Sequence, residues 1–100
     1  MWNYNFFTYI TTNPERTVLY VGVTNDLRIR LYQHYENRGD KSTFAGKYYC
    51  YNLVYYEHYT HIVHAIEREK EIKKWRREKK VALIESTNPG WRFLNDEVSD

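Results

Sequence analysis

The spacing of apolar and polar positions along the 100-residue chain changes several times, and each change marks an element. Phe6 to Thr12 is aromatic and β-branched and predicts a strand. Asn13-Pro14-Glu15-Arg16 reads as a turn, because Asn-Pro initiates one and Pro14 offers no amide donor to a ladder. Thr17 to Gly22 predicts a second strand, and four turn residues between two such runs argue for an antiparallel hairpin. Gly22 is expected to end that strand, where the missing Cβ lets backbone or ligand approach closely.

A helix is expected from about Asp26, with Thr24, Asn25 and Asp26 as N-cap residues. Leu27, Leu31 and Tyr35 recur every four residues along it, and Asn37-Arg38-Gly39 supplies its stop, with Gly39 in the left-handed cap. Residues 39–51 read as a loop. Asn52 to Tyr59 predicts a third strand, and from Ile62 the pattern turns helical through Ile66, Ile72 and Trp75, with Ile66 and Ile72–Trp75 as core. Val81 to Ile84 continues or restarts a helix, Asn88-Pro89-Gly90 stops it, and Trp91, Phe93 and Leu94 are expected to pack onto the body. The order strand, strand, helix, strand, helix, helix makes this an α+β domain: a small three-stranded antiparallel sheet flanked by helices. One domain is expected over residues 1–100, with its core at about 6–94 and no linker.

Composition narrows the classes. Hydrophobic residues at 42% and charged residues at 28% exclude collagen-like, disordered and disulfide-framework chains. No apolar run approaches the roughly 20 residues needed to span a bilayer, so no membrane partner is expected. The single cysteine, Cys50, cannot form an internal disulfide and reads as a buried small hydrophobe. Met1 is followed by Trp-Asn-Tyr, unlike a secretory leader, so the expected location is the cytoplasm. Net charge is only +2, yet Arg68 to Lys80 holds eight Lys or Arg against three Glu. That run is either a solvated helix face or a track for a nucleic-acid backbone.

Candidate chemistry gathers in residues 7–34. Two strands each deliver a tyrosine, Tyr9 and Tyr20, and the following helix delivers Arg30 and His34. Those last two are four apart, so they share a helix face at a separation of about 6 Å. Arg30 also lies beside the Leu27–Leu31 stripe, and its planar fork suits phosphate oxygens better than a lysine does. His58, His61 and His64 are spaced by three, but they straddle a strand end and a helix start, and no closed zinc site is expected of them. Tyr48, Tyr49 and Tyr51 either stack on bases or roof the core.

Phe7-Thr8-Tyr9, Tyr20-Val21-Gly22, Arg30 at ten residues past Tyr20 and His34 four further on resemble the GIY-YIG nuclease domain. The likeness continues over Arg68-Glu69, Ile72-Lys73-Lys74-Trp75 and Asn88-Pro89-Gly90-Trp91, and is similar to the small stand-alone UPF0213 (YhbQ-like) branch. Its specific part is Leu-Tyr-Val-Gly-Val-Thr-Asn-Asp-Leu, residues 19–27, followed by Arg30. The resemblance implies an endonuclease that hydrolyses DNA phosphodiester bonds with one divalent metal ion, Mg2+ or Mn2+, and takes DNA in preference to RNA. It makes Tyr9 and Tyr20 the paired active-site tyrosines, one of which orients or deprotonates the attacking water. Arg30 would neutralise charge developing on the phosphate, and His34 would help handle protons. Glu69 would hold the metal, with Glu67 as the fallback, while Asn88 matches a late asparagine of the family. Gly22, Asn88, Lys73 and Lys74 are the expected substrate-binding residues.

Two departures stand out. Phe7-Thr8 replaces Gly-Ile, and Val23 stands where some members place a lysine that would lower the neighbouring phenol's pKa. A tyrosine ionises near pKa 10, so a phenolate base at neutral pH needs a cation, from Arg30 or the metal. With 100 residues there is little room for a sequence-reading module, so recognition is expected to follow substrate structure, or to rely on a protein partner for targeting. Two rival readings stand beside the nuclease: a catalytically silent nucleic-acid-binding module on the same scaffold, and a protein-interaction domain.

Overall fold

A computed structural model of the chain describes residues 5–98. Its elements run β1 (Phe6–Thr12), β2 (Leu19–Thr24), α1 (Leu27–Glu36), α2 (Phe44–Lys47), β3 (Asn52–Tyr59), α3 (Ile62–Lys73), α4 (Arg77–Thr87) and a final 3-10 turn (Asn95–Val98). The three strands form one antiparallel sheet in the order β2-β1-β3, so β1 is central and β2 lies at an edge. This is the α+β architecture the sequence predicts, with one helix added.

β1 and β3 have the predicted bounds, whereas β2 starts two residues late and runs on through Gly22. The cause is Asn13. Its Oδ1 accepts from the amides of Thr17 (2.8 Å) and Val18 (3.0 Å), so these two donors serve the turn and not the ladder. Gly22 consequently sits mid-strand, directly opposite Tyr9. Between β1 and β3 the register slips at Ile10/Thr11: Ile10 faces Tyr55 and Thr11 faces Leu53, leaving Val54 as the extra residue of a bulge.

The sheet separates two apolar clusters. On one face Ile10, Val21, Val54 and Tyr55 meet Ile72 of α3 and Ile84 of α4, with Trp75 and Trp91 packed against them. On the other, Tyr9 and Leu53 meet Leu27 and Leu31 of α1 and Leu94 of the tail. The buried stripe of α1 is Leu27, Leu31 and His34, while Tyr35 is exposed; the period drifts from four to three because a helix turns every 3.6 residues. Asp26 caps α1, its Oδ1 accepting from the Ile29 amide at 3.0 Å. Gly39 has φ +88°, the left-handed value expected of it, two residues beyond the Asn37 C-cap.

Within the expected loop 39–51 lies α2, a single turn capped by Thr43. Helix α3 buries Ala65 and Ile72, and Ile66 and Trp75 are half-buried; the chain then restarts as α4, with Arg76 extended between the two. Arg68 ties α3 to the sheet through Glu57 of β3, with Nε 3.0 Å from Oε1, and it also reaches Glu71 at 2.7 Å. In the tail, Leu94 donates its amide to Leu53 O (2.7 Å), and Asn95 Oδ1 accepts from the Leu53 amide (2.8 Å). Cys50 is fully buried. Among the described residues no helix is long and apolar enough to cross a membrane.

Candidate active site

Tyr9 is wholly buried on the central strand, and Gly22 is the reason it can lie where it does. A Cβ built on Gly22 would stand 2.5 Å from the Tyr9 hydroxyl oxygen and 2.6 Å from Cζ. The phenol therefore crosses β2 over a bare backbone and reaches α1, where its oxygen lies 2.8 Å from His34 Nε2. Arg30 Nε donates to the same oxygen at 3.3 Å. Arginine can only donate, so the phenol oxygen accepts from Arg30, while the direction of the Tyr9–His34 bond follows the imidazole tautomer.

Burial sets the ionisation of this trio. It pushes the Tyr9 phenol up to about 12, against a smaller opposing pull from the Arg30 hydrogen bond. It also brings His34 down to about 4, helped by the Arg30 charge, so the imidazole is neutral at neutral pH. For Arg30 burial works against the charge, but hydrogen bonds to Tyr9 and then Tyr20 outweigh it and hold the guanidinium more firmly protonated than usual. A second Arg30 donor, Nη1, is fixed by Gln33 Oε1 at 3.1 Å.

Tyr20 completes the group from β2. Its ring centroid lies 6.3 Å from that of Tyr9 and 5.3 Å from that of His34, and Phe44 stacks on it at 6.3 Å and 26°. Tyr20, Arg30 and His34 line a cavity of about 160 Å³ whose far wall is Asn37, Thr43 and Phe44. A water occupies about 30 Å³ in the liquid, so the cavity takes a phosphate group and a water or two. Tyr9 lies behind this cavity and not in it. The two tyrosines that sequence treats alike thus differ: Tyr20 faces the space, and Tyr9 holds Arg30 and His34 in place.

The remaining expected residues fall into three positions. Glu69 of α3 is largely buried, its side chain 16% exposed, and its charge adds to the upward push on Tyr9. Lys73 Nζ lies 3.3 Å from Glu69 Oε2, one helical turn on. Lys74 is exposed at the C-cap of α3. Asn88 is elsewhere: buried at the end of α4, its Nδ2 donates to Val54 O (3.1 Å) and Arg92 O (2.9 Å), and its Oδ1 accepts from the Arg92 amide (2.9 Å). These bonds make Asn88 a clip between α4, β3 and the tail, with its polar atoms already engaged. Gly22 likewise serves Tyr9 by its lack of a side chain. Glu67 is exposed.

Sequence reading missed Phe44 and Thr43. In the structure Thr43 is an N-cap whose Oγ1 accepts from the Gly46 amide at 3.1 Å, and Gly46 admits no Cβ because Asp40 O and Asn37 O lie 2.5 and 2.7 Å from where it would be. His61 and His64 are exposed neighbours with rings 5.4 Å apart, and His58 bonds Asn5.

β2 and α1 bring Tyr20, Arg30 and His34 to one cavity with Tyr9 of β1 behind it, and residues 5–82 match the family model described as the GIY-YIG catalytic domain. A UPF0213 protein of Bacillus pumilus is 34% identical over 85 residues, 85% of this chain and 84% of its own. One from Staphylococcus aureus is 36% identical over 78 residues, 78% of this chain and 92% of its own. The solution NMR structure of the UPF0213 protein BH0048 from Bacillus halodurans shares the fold, with a TM-score of 0.53 at 24% identity over 87% of this chain and 89% of that one. The chain belongs to the GIY-YIG family, a nuclease superfamily, and within it to the UPF0213 branch.

Among the described residues no three His, Cys, Asp or Glu side chains gather as a closed metal cage requires. The expected metal carboxylate, Glu69, is an oxygen donor of the kind Mg2+ takes together with waters and phosphate oxygens, and here it is paired with Lys73.

Proposed function

We propose that this protein is an endonuclease that hydrolyses DNA phosphodiester bonds with the help of one Mg2+ or Mn2+ ion, directed by the structure of its substrate more than by its sequence. The observation that carries this reading is the cavity itself: a phosphate-sized space lined by Arg30, Tyr20 and a neutral His34, with Tyr9 bracing two of them from behind.

Arg30 binds the phosphate and neutralises the charge that grows on its oxygens, with Nε and Nη1 already fixed so that little reorganisation is left for the reaction. Tyr20 orients the attacking water. As the bond from water oxygen to phosphorus forms, one P–O ester bond breaks, the water gives up a proton and the leaving oxygen takes one. Neutral His34 can take that proton at Nδ1 in the tautomer whose Nε2–H donates to Tyr9, and a phosphate beside Arg30 removes part of what depresses its basicity. A metal ion on Glu69 would supply Lewis-acid stabilisation of the phosphate.

A silent binding module is favoured by one observation, the Lys73 ammonium resting on Glu69 where a cation would bind. A gel assay against single-stranded, duplex, flapped and branched DNA, with Mg2+, Mn2+ or EDTA, decides between the two. Metal-dependent cutting that is lost in Arg30→Ala and Glu69→Ala, both still folded by circular dichroism, supports the nuclease. Salt-sensitive binding without cutting supports the module.

A further inference from the structure

The cavity continues past Tyr20. Tyr20 and Phe44 also line a neighbouring depression with Lys73 and Lys80, and Phe44 and Lys80 line a third with Arg77. The three adjoin one another through these shared residues along the outer side of β2, which among the described residues is an edge strand, and so make one groove. Residues 17–21 make its floor, Phe44 one wall, and Lys73, Arg77 and Lys80 the other.

The chain path explains the basic wall. Helix α3 ends at Lys73, and the extended Arg76 turns the chain so that α4 begins at Arg77. Arg77 and Lys80 are three apart and share a face of α4. Among the described residues no ion pair holds either of them, and none of the residues lining the groove is acidic. Other cations of the same run are engaged elsewhere, Arg68 with Glu57 and Lys79 over the Trp75 ring at 4.3 Å, and Lys73 of the wall also pairs with Glu69 at 3.3 Å. Phe44 is 51% exposed although its ring stacks on Tyr20 and meets the Tyr48 ring at 4.8 Å, so much of its aromatic surface is open to solvent.

We infer that this groove carries the phosphodiester backbone of the strand being cut, leading it away from the scissile phosphate along β2. Lys73, Arg77 and Lys80 contact its phosphates, and Phe44 receives a base beside the cut, because an exposed aromatic face stacks on any base. The inference rests on reading the cavity as a phosphate site, and it adds Arg77, Lys80 and Phe44 to the substrate-binding surface.

The test is binding of a fluorescein-labelled 20-nucleotide DNA, single-stranded and as a duplex, over a series of salt concentrations in EDTA so that the strand stays whole. Each phosphate contact contributes about 0.7 to the slope of log affinity against log salt for a single strand and about 0.9 for a duplex. Arg77→Ala and Lys80→Ala are each expected to lower the slope by about that amount, and the double variant by about twice as much. Phe44→Ala is expected to weaken binding several-fold with the slope unchanged. Arg28→Ala, on the far side of α1 beside Asn25 and Asp26, keeps the parent slope. Parent slopes in both groove variants overturn the inference while leaving Arg30-dependent cleavage untouched. Reduced slopes in a protein that never cuts uphold the groove and defeat the nuclease reading instead.

Discussion

Gly22 stands directly across the β1–β2 ladder from Tyr9, and the space its side chain would fill is already taken by the Tyr9 phenol. That phenol has no room to retreat, because its oxygen is held from the other side by His34 and Arg30. Gly22→Ala is therefore expected to lower stability by about 1–3 kcal/mol, the usual cost of overpacking a filled core. The same shift would move Arg30 and reduce cleavage about 100-fold. Urea unfolding and single-turnover cleavage of the one variant check both; wild-type behaviour in each would mean that the phenol does not lie over Gly22.

Tyr9 and Tyr20 should part company on conservative substitution. Tyr9→Phe leaves the Arg30 and His34 nitrogens without a buried partner, which costs about 1–3 kcal/mol of stability. Tyr20→Phe removes a hydroxyl at the cavity and is expected to change stability little while lowering kcat about 100-fold or more. Thermal unfolding and the kcat against KM split separate the two, and equal stability losses would erase the distinction.

The buried imidazole makes stability depend on pH. His34 ionises near 6.5 in an unfolded chain and at about 4 in the fold, so between these values the unfolded chain holds more protons. Stability contributed by neutral His34 is complete above pH 6.5 and falls as pH drops toward 4. At roughly 1.4 kcal/mol per pKa unit the full loss, reached below pH 4, is on the order of 3–4 kcal/mol. Glu57, whose pKa is lowered chiefly by hydrogen bonds from Arg68, Tyr55 and Tyr59 against the effect of burial, loses its contribution only lower down, as pH falls through the carboxylate range. His34→Gln keeps an acceptor near the Nε2 position, and it is expected to flatten the stability profile between pH 6.5 and 4.5. An unchanged slope in that variant would assign the dependence elsewhere.

Asn88 bonds Val54 and Arg92 so fully that its replacement reads as a packing experiment. Asn88→Ala is expected to destabilise the fold by about 2 kcal/mol, from the loss of bonds to buried backbone groups. Cleavage per folded molecule at saturating DNA should stay at the parent level. A raised KM with unchanged stability would instead return Asn88 to the substrate-binding surface.

Much of the fold was legible because periodicity is local. The strand bounds of β1 and β3 and the Asp26 cap follow from residue patterns within each run, whereas the sequence leaves open whether the helix continues or restarts at Val81, and the break falls earlier, between Lys73 and Arg77. The start of β2 was not legible, since it depends on one side chain, Asn13, taking two amides that strand propensity assigns to the ladder. A four-residue helix such as α2 carries too little periodicity to register. At the site, Tyr20, Arg30 and His34 could be named from spacing, but the depth of Tyr9 could not. It depends on cross-strand register, which brings a glycine thirteen positions away under the ring. Motif matching also pointed to Asn88 while saying nothing of the backbone groups that engage it.

The match to the family's catalytic-domain model stops at residue 82, yet the amide and carbonyl of Leu53 on β3 are answered by Asn95 and Leu94. Those closing residues act as a guard strip on a sheet margin that would otherwise offer unpaired donors and acceptors to any passing strand. A chain cut back to the shared catalytic segment would keep every cavity residue and lose that guard. It would be expected to associate with itself margin to margin, which gives Leu94 and Asn95 a part in keeping molecules apart as well as in holding the fold.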